Sequence, residues 1–473
     1  MPKAKAEICH ERDYFARADV WRISKAFTKW QTGEEARLWR TQAMHPTPLA
    51  RLIASRLTLA IAAVCASPAL AETIYVTGDR MLDVESGRYI DSPLITITDG
   101  KVAAVEGGGE APDGAEVIDL AGHTILPGLI DMHVHLDGRP EYGGYSSLQF
   151  SDSFWTVIGA INAQKMLGAG FTTVRNLGGS QYNVVGLDQV IEEGWMEGPR
   201  IVAAAHSLGA TGGHCDETFL PPSFDAKSPA VGDSPDELRK RVREQRKYGA
   251  EVIKACATGG VFSRNTAPGI QQLNLDELTA IADEAHFWGL KAAAHAHGAA
   301  GIKAAIRAGF DTIEHASYVD DEGIALAKER GTFLSMDIFN TEYTLSQGEA
   351  NGVLPENIEK ERSLSQDQRD NFRRAHEAGV RMIFASDAGV MPHEDVGGQF
   401  RVMVEYGMDP LESIQAATIN ASQALGQVGE VGVIKPGGWA DLIAVDGDPL
   451  VDVGELADVD WVMKGGKVFQ SRQ

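Results

Sequence analysis

The spacing of hydrophobic and polar positions changes twice along the chain. After Glu72, and again toward the C-terminus, apolar and polar residues alternate with a period of two between Asp-Gly and Ala-Gly turns, which predicts β-strands. Between these regions, short apolar runs alternate with amphipathic stretches, a pattern typical of a parallel α/β fold. We therefore predict a β domain built from residues 72–126 and 428–473, with residues 127–427 inserted between its two segments.

The inserted region contains eight short apolar segments that are candidate strands. They cover residues 129–135, 172–177, 200–207, 251–257, 291–297, 311–317, 331–337 and 381–387. Amphipathic segments such as 234–249 and 274–289 are predicted to be helices, with Ser234 as the N-cap of the first. Since eight strand–helix units are the number that a closed barrel requires, the sequence predicts a (β/α)8 TIM-type barrel. The chain is thus of the α/β class, with a small β-sandwich-like domain formed by both chain ends.

The first 71 residues differ from the rest in charge, with 11 Lys and Arg against 6 Asp and Glu. Met44 offers a second start, followed by a short basic segment and by the apolar residues 57–66, a run too short to span a bilayer. A small-x-small cleavage site then ends at Ala71. We predict that residues 44–71 are a signal peptide and that the mature chain is secreted or periplasmic. We interpret residues 1–43 as an extension from a misassigned start codon.

Length and charge narrow the classes of partner. The chain has 473 residues, enough for a barrel and an accessory domain, and a formal net charge of −23 at pH 7. Since an acidic surface repels nucleic acid and anionic membranes, we expect no nucleic-acid partner and no stable membrane insertion after signal cleavage. The expected partner is a small-molecule or dipeptide substrate. A homo-oligomer is compatible with the sequence, which leaves the oligomeric state open.

Two of the four cysteines, Cys215 and Cys256, remain after the predicted cleavage. Two cysteines in a chain of this length do not form a disulfide framework. Cys256 lies two residues after Lys254 on the same strand face, and we interpret it as filling the barrel interior. Cys215 adds a thiol near the predicted pocket, but no His or Asp partner makes it a convincing nucleophile.

Residues that can bind metal ions occur on five of the eight predicted strands. They are His133 and His135 on the first, Lys254 on the fourth, His295 and His297 on the fifth, His315 on the sixth and Asp387 on the eighth. The C-terminal strand ends of a barrel converge on one mouth, and imidazole and carboxylate donors suit zinc or a similar ion. Lys254 stands out because a buried ammonium is costly unless its charge is lost or paired. Each residue alone is more often structural, but together they predict a metal site.

This set of residues resembles that of the amidohydrolase superfamily, and the resemblance covers residues 72–473. The superfamily carries HxH on strand one, lysine on strand four, histidines on strands five and six, and aspartate on strand eight. The C-terminal segment GVIKPGGWADLIAVDGDPL is also similar to the superfamily's. Further segments resemble an imidazolonepropionase-related branch that includes prolidase-like dipeptidases, Xaa-Arg/Lys carboxypeptidases and ochratoxin-hydrolysing amidases. They are TTVRNLGG, ATGGHCDE, KACATGGVFSRNTAPG, AAHAHGAAGI and IEHASYVDDE, in which Cys215 departs from an expected glycine.

The resemblance implies a pair of divalent metal ions, with zinc favoured. The implied metal ligands are His133, His135, Lys254, His295, His315 and Asp387. Lys254 would carry a carbamate derived from CO2, which bridges the two ions together with the hydroxide that attacks the amide. Asp387 would be the catalytic residue that moves the proton. His295 rather than His297 is taken as the ligand on strand five, because it matches the family's position.

Substrate contacts are expected from the loops that follow the strands. The candidate residues are His214, Arg264, His297, Tyr318 and His393. Arg264 and His214 are the candidates for donating hydrogen bonds to a substrate carboxylate. The expected function is hydrolysis of an amide bond in dipeptides or N-acyl amino acids, including ochratoxin-type amides.

Two other functions compete with this expectation. The first is a cyclic-amide hydrolase or deaminase of the same superfamily, against which Lys254 counts because such enzymes typically use one metal and lack this lysine. The second is a binding protein on a retained barrel, against which the complete ligand set counts. The sequence leaves open which substrate side chains flank the scissile bond.

Overall fold

The computed structural model describes residues 73–471 of the chain. The predicted N-terminal extension and the predicted signal peptide, residues 44–71, lie outside the described residues. Within the described range, no helix combines the length and apolar character that crossing a membrane requires.

One sheet joins strands from the two ends of the described chain. Its strands are β1 (Thr73–Asp83), β2 (Arg88–Asp91), β3 (Pro93–Thr98), β4 (Lys101–Gly107), β5 (Glu116–Pro127), β14 (Leu442–Asp446), β15 (Trp461–Lys464) and β16 (Lys467–Ser471). The order is β16-β15-β14-β5-β1-β3-β4, with β2 paired to β1. The two ends meet where β5 runs antiparallel to β14, with Ile125 opposite Ala444. Both residues belong to an apolar core that also contains Val76, Ile95 and Leu442.

The edge strand β4 returns to the segment that precedes β14. The backbone N–H of Val102, on the edge strand β4, donates to the carbonyl of Gly438 at 2.9 Å, just before β14. Alternate residues of β3, β14 and β15 face one shared core, as the period-two pattern predicts.

Eight parallel strands form the barrel, and each lies within one of the predicted segments except β7, which begins one residue earlier. They are β6 (Leu129–Val134), β7 (Phe171–Asn176), β8 (Arg200–Ala203), β9 (Val252–Cys256), β10 (Lys291–Ala296), β11 (Thr312–His315), β12 (Phe333–Ser335) and β13 (Met382–Ile383). Strands β6 to β8 pair in one ladder and β9 to β13 in another. Backbone hydrogen bonds of 2.8 Å join the ladders at both edges, from Leu208 to Lys254 and from Asp387 to His133. The eight strands thus follow one another around a ring.

Eleven α-helices lie in the described chain, most of them between barrel strands. They are α1 (Asp152–Gly168), α2 (Asn183–Glu192), α3 (Pro235–Lys247), α4 (Leu275–Phe287), α5 (Ala299–Ala308), α6 (Asp321–Arg330), α7 (Asn340–Gln347), α8 (Pro355–Glu377), α9 (Gly398–Glu405), α10 (Pro410–Ala416) and α11 (Ile419–Leu425). Helices α3 and α4 correspond to the two predicted segments. The Ser234 side chain accepts from the Glu237 N–H, which confirms the predicted N-cap. Leu238 of α3 and Leu278 of α4 are buried in the main core, as residues on the barrel-facing stripe of an amphipathic helix should be.

Candidate metal centre

A cavity of about 490 Å³ lies where the C-terminal ends of the barrel strands meet. Among the residues that line it are His133, His135, Lys254, His295, His297, His315 and Asp387. All seven predicted strand-end residues are thus brought to one place. The outcome follows from barrel geometry, in which parallel strands direct their C-terminal ends to the same face.

The first group of donors consists of His133, His135 and Asp387. The Asp387 Oδ1 atom lies 3.4 Å from His133 Nε2 and 3.3 Å from His135 Nε2. A tetrahedral ion with ligand bonds of about 2.0–2.1 Å has edges of roughly 3.3–3.4 Å between its ligand atoms. The two distances from Asp387 therefore fit a zinc-sized cation.

The second group consists of His295, His297 and His315, whose ligand atoms lie within 4.8 Å of one another. His295 Nε2 contacts the Gly259 carbonyl at 3.1 Å, which leaves its Nδ1 free for a ligand. His297 Nδ1 contacts Ser317 Oγ at 2.8 Å, which leaves its Nε2 free. Both histidines therefore have an unengaged ring nitrogen, and the choice of His295 as the ligand stays a prediction.

Oxygen acceptors contact one ring nitrogen of His135 and one of His315. His135 Nδ1 lies 3.1 Å from the Gly178 carbonyl, and His315 Nδ1 lies 2.8 Å from Asp337 Oδ1. An acceptor at Nδ1 leaves the lone pair on Nε2, the arrangement that metal-binding histidines almost always show. These contacts therefore fix the orientation of the His135 and His315 rings.

The backbone near these residues is constrained. Asp131 Oδ1 accepts hydrogen bonds from the N–H groups of His133 (3.0 Å) and Ser386 (3.2 Å), so one carboxylate connects β6 to the segment after β13. His315 and Asp387 both have left-handed backbone angles, with φ of 69° and 56°. This conformation is uncommon for residues other than glycine and clusters at functional sites, where the surrounding structure enforces it.

The electrostatic states of His133, His295 and Asp387 suit metal binding. Burial lowers the pKa of His133 to about 3 and lowers the pKa of His295 well below its ordinary value, so both rings are neutral. Burial alone would raise the pKa of Asp387, but the neighbouring His133 and His135 outweigh it and lower that pKa. Neutral imidazoles and an ionised carboxylate are the forms in which these side chains bind metal.

Lys254 is buried at the centre of the donor set. Its Nζ lies 3.3 Å from His133 Nε2, and among the described residues no carboxylate lies within ion-pair distance of it. Burial lowers the pKa of Lys254 to about 8. A buried amine next to an imidazole is less favourable as a cation than an exposed one, so the neutral amine forms more readily here than in an exposed lysine.

The predicted substrate residues divide into two sets. His214 and His297 line the cavity, and the His214 ring stacks on that of His295 at 4.2 Å between centroids. Gly260 permits this position, because a Cβ there would lie 2.3 Å from the His214 ring. Burial lowers the pKa of His214 to about 3, so it meets a ligand as a neutral donor.

The other three candidates are not among the residues that line the cavity, and their roles as substrate contacts stay predictions. Arg264 Nε contacts Glu356 Oε1 at 3.0 Å, and its Nη1 contacts the Tyr145 hydroxyl at 2.7 Å, so its guanidinium is engaged at the exposed surface. His393 is buried behind the HxH strand, with Nε2 3.2 Å from the His135 carbonyl. The backbone N–H of Tyr318 donates to the His297 carbonyl.

Sequence reasoning missed several polar residues of the cavity lining. They include Asp137, Lys227, Asp337, Glu361 and Gln368. The sequence could have identified Asp337 as a cavity residue, because it is the last residue of the seventh predicted strand. The others lie on loops or on helix α8, where no local pattern marks a residue as facing the cavity.

Cys215 and Cys256 form a disulfide, which corrects both sequence interpretations of these residues. Cys256 does not fill the barrel as a free thiol, and Cys215 is not a free thiol near the pocket. The bond joins the loop after β8, which carries His214, to strand β9, which carries Lys254. The sequence did not reveal the pair because 41 positions separate the two residues.

Replacing both cysteines by alanine is expected to lower the free energy of unfolding by about 2–4 kcal/mol, because the bond closes a long loop in the unfolded chain. Urea unfolding followed by circular dichroism measures this difference. Wild-type protein with reductant should lose the same amount, whereas Cys215→Ala/Cys256→Ala should not respond to reductant. Equal stability of wild type and variant under oxidising conditions would contradict the expectation.

Comparisons with known proteins agree with this arrangement. The family model described as "Amidohydrolase family" matches residues 124–469. The ochratoxinase of Aspergillus niger is 33% identical over 373 residues, which cover 73% of this chain and 76% of the relative.

Solved structures share both the fold and part of the sequence. A Xaa-Pro dipeptidase with bound methionine in its active site has a TM-score of 0.80 and 33% identity, over 84% of this chain and 100% of the other. A prolidase in complex with N-methylphosphonate-L-proline has a TM-score of 0.78 and 31% identity, over 85% of this chain and 100% of the other.

Proposed function

Because this chain belongs to the amidohydrolase family and is a hydrolase of amide C–N bonds, we propose that it cleaves dipeptides or N-acyl amino acids at a centre of two divalent metal ions. The observation that carries the proposal is the pair of donor groups at the base of the cavity. The proposed substrates follow the likeness to a dipeptidase and a prolidase.

The residues present fit two ions. His133, His135 and Asp387 would hold one ion, His295 and His315 would hold the other, and Lys254 lies beside the first group at 3.3 Å from His133. When bound, a pair of zinc-like ions lowers the pKa of water and polarises the scissile carbonyl.

Lys254 would act as a carbamate. Addition of CO2 to the neutral amine forms an N–C bond and releases one proton, so a buried amine beside the first donor group would become an anion. This change removes the cost of a buried cation and supplies the negative charge that two dications require.

Asp387 is the residue placed to move protons. Its Oδ1 faces the His133 and His135 rings at the base of the cavity, and its lowered pKa keeps it ionised, the form that can accept a proton. In the proposed reaction, water oxygen adds to the carbonyl carbon and its proton passes to Asp387. The C–N bond then breaks, and Asp387 returns the proton to the leaving amine. His214 and His297 would hydrogen-bond the substrate.

Lys227 replaces Arg264 as the proposed partner of a substrate carboxylate. Apart from Lys254, it is the only lysine or arginine among the described residues that line the cavity. An ammonium at the cavity wall can form a charge-assisted hydrogen bond with the free carboxylate of a dipeptide.

Lys227→Met is expected to raise KM for a dipeptide about tenfold with little change in kcat, because a hydrogen bond to a charged group that is equally present in the ground and transition states is lost. Steady-state kinetics on a dipeptide and on its C-terminal amide measure this effect. The amide should show no difference between variant and wild type. Lys240→Met, at an exposed lysine of α3, is the control. A tenfold change on both substrates would contradict the role.

The test of the function uses the full chain. Protein is stripped with a chelator, reconstituted with zinc in the presence of bicarbonate, and assayed on a library of dipeptides and N-acyl amino acids while bound metal is quantified. The expected result is two ions per chain and turnover of a subset of the library. One ion per chain, insensitivity to bicarbonate, and turnover only of a lactam or an aminopurine would instead support the cyclic-amide hydrolase or deaminase.

We also propose that the chain is exported, as the sequence of residues 44–71 predicts. The Cys215–Cys256 disulfide supports this proposal, because such bonds persist mainly in oxidising compartments. N-terminal sequencing of the native protein should find Glu72 first. A native N-terminus upstream of Met44 would contradict the proposal.

A further inference from the structure

A charged pair crosses the interior of the barrel below the metal centre. Arg175 on β7 and Glu314 on β11 belong to opposite sides of the ring, and they are 1% and 0% exposed. Arg175 Nη2 lies 2.8 Å from Glu314 Oε1. Barrel interiors are usually filled by branched apolar side chains, and a buried ion pair is often no more stabilising than such residues. The pair therefore suggests a role other than stability.

Each of the three guanidinium nitrogens of Arg175 has an acceptor. Its Nε donates to the Met132 carbonyl at 2.7 Å and its Nη1 to Thr312 Oγ1 at 3.0 Å, while Nη2 donates to Glu314 Oε1. The Thr312 hydroxyl also donates to Oε1. One oxygen of Glu314 is thus occupied by donors, and the orientation of its carboxylate is fixed.

The other oxygen of Glu314 faces the metal centre. Glu314 Oε2 lies 3.3 Å from His133 Nδ1 as an ion-pair contact, and neither atom has a hydrogen-bond partner among the described residues, so each is the nearest polar group available to the other. An ionised carboxylate only accepts, so the hydrogen of a neutral His133 ring must be on Nδ1. The lone pair is then on Nε2, which faces Asp387 Oδ1 and Lys254 Nζ.

We propose that Glu314, oriented by Arg175, sets the tautomer of His133 and so makes its Nε2 available to the metal. Both are positioning residues that act through His133 rather than on the substrate. The inference rests on the proposed metal centre and adds a control of that centre from the interior of the barrel. Acceptors behind metal-binding histidines typically change metal affinity by 10–100-fold.

The variant Glu314→Gln separates this role from packing. Arg175 has only donors, so it and Thr312 hold the carboxamide oxygen, and the carboxamide NH2 faces His133 Nδ1. That nitrogen must then accept, which moves the ring hydrogen to Nε2 and blocks the metal. In the double variant Arg175→Met/Glu314→Gln the carboxamide is free to turn its oxygen to His133, because the Thr312 hydroxyl can accept as well as donate.

The experiment measures zinc affinity of the full chain by competition with a chromophoric chelator. Glu314→Gln should bind one of the two ions 10–100-fold more weakly than wild type, and the double variant should recover most of this loss. Glu284→Gln, which alters a buried carboxylate paired with Arg243 away from the cavity, should bind zinc like wild type. Circular dichroism of the metal-free proteins verifies that each variant is folded.

Two results would overturn the inference. Wild-type affinity in Glu314→Gln would show that the tautomer does not depend on Glu314, and equal weakness of the single and double variants would assign the loss to packing. If wild-type protein binds no zinc, the proposed function and this inference both fail. If wild-type protein binds two ions and Glu314→Gln binds them with the same affinity, only this inference fails.

Discussion

Asp387→Asn is expected to lower kcat/KM for the best dipeptide or N-acyl amino acid by about 10³–10⁴-fold. The side chain is nearly isosteric, but the amide cannot accept the proton from the attacking water, and general acid–base groups contribute up to about 10⁴-fold. It also replaces the anionic oxygen that lies 3.3–3.4 Å from His133 and His135 with a weaker neutral donor.

This result can be separated from misfolding. Asp446→Asn is a matched control, because Asp446 belongs to a surface group with His123 and Asp460 and its side chain is 75% exposed. Thermal unfolding of both variants should resemble that of wild type, while only Asp387→Asn loses activity. Retention of more than a tenth of wild-type kcat/KM in Asp387→Asn would exclude Asp387 as the proton carrier.

Lys254→Ala is expected to lower kcat/KM by about 10²–10³-fold and to remove one of the two ions. Loss of one preorganised electrostatic group from a buried site typically lowers the rate by a factor of this size. The variant leaves a space about the size of a short carboxylic acid and lacks the negative charge of a carbamate. Acetate should therefore restore part of the activity, whereas acetamide, which has a similar size but no charge, should not.

The carbamate itself has a direct readout. Wild-type protein equilibrated with ¹³C-bicarbonate should show a carbamate resonance that is absent from Lys254→Ala. Metal analysis of the same samples should give two ions and one ion per chain, respectively. Two ions and full activity in Lys254→Ala would contradict a bridging role for Lys254.

Much of the fold could be predicted from local patterns. The period-two alternation at both chain ends and the short apolar runs between them identified every barrel strand, including β13, which is only two residues long. These features are readable because strand formation depends on the side chains of neighbouring residues and on the two faces they present. The family resemblance is confirmed by the match over residues 124–469.

The sequence predicted those residues of the candidate site that lie at the ends of barrel strands. His133, His135 and Asp387 were brought together because barrel topology requires it. The assignment of each as a metal ligand stays a prediction for the experiments above. Residues on the connecting loops could not be ranked from the sequence, since His214 lines the cavity whereas Arg264 contacts Glu356 and Tyr145.

The sequence by itself determined the fold class, the strand positions and the set of donors, because each depends on a repeating pattern within a few residues. Only the tertiary structure decided that Cys215 bonds to Cys256, that Lys227 rather than Arg264 lines the cavity, and that Glu314 reaches His133. These contacts join residues 41 to 181 positions apart, or depend on the path of a loop. No local pattern encodes them, because they arise from how strands and loops pack once the ring has formed.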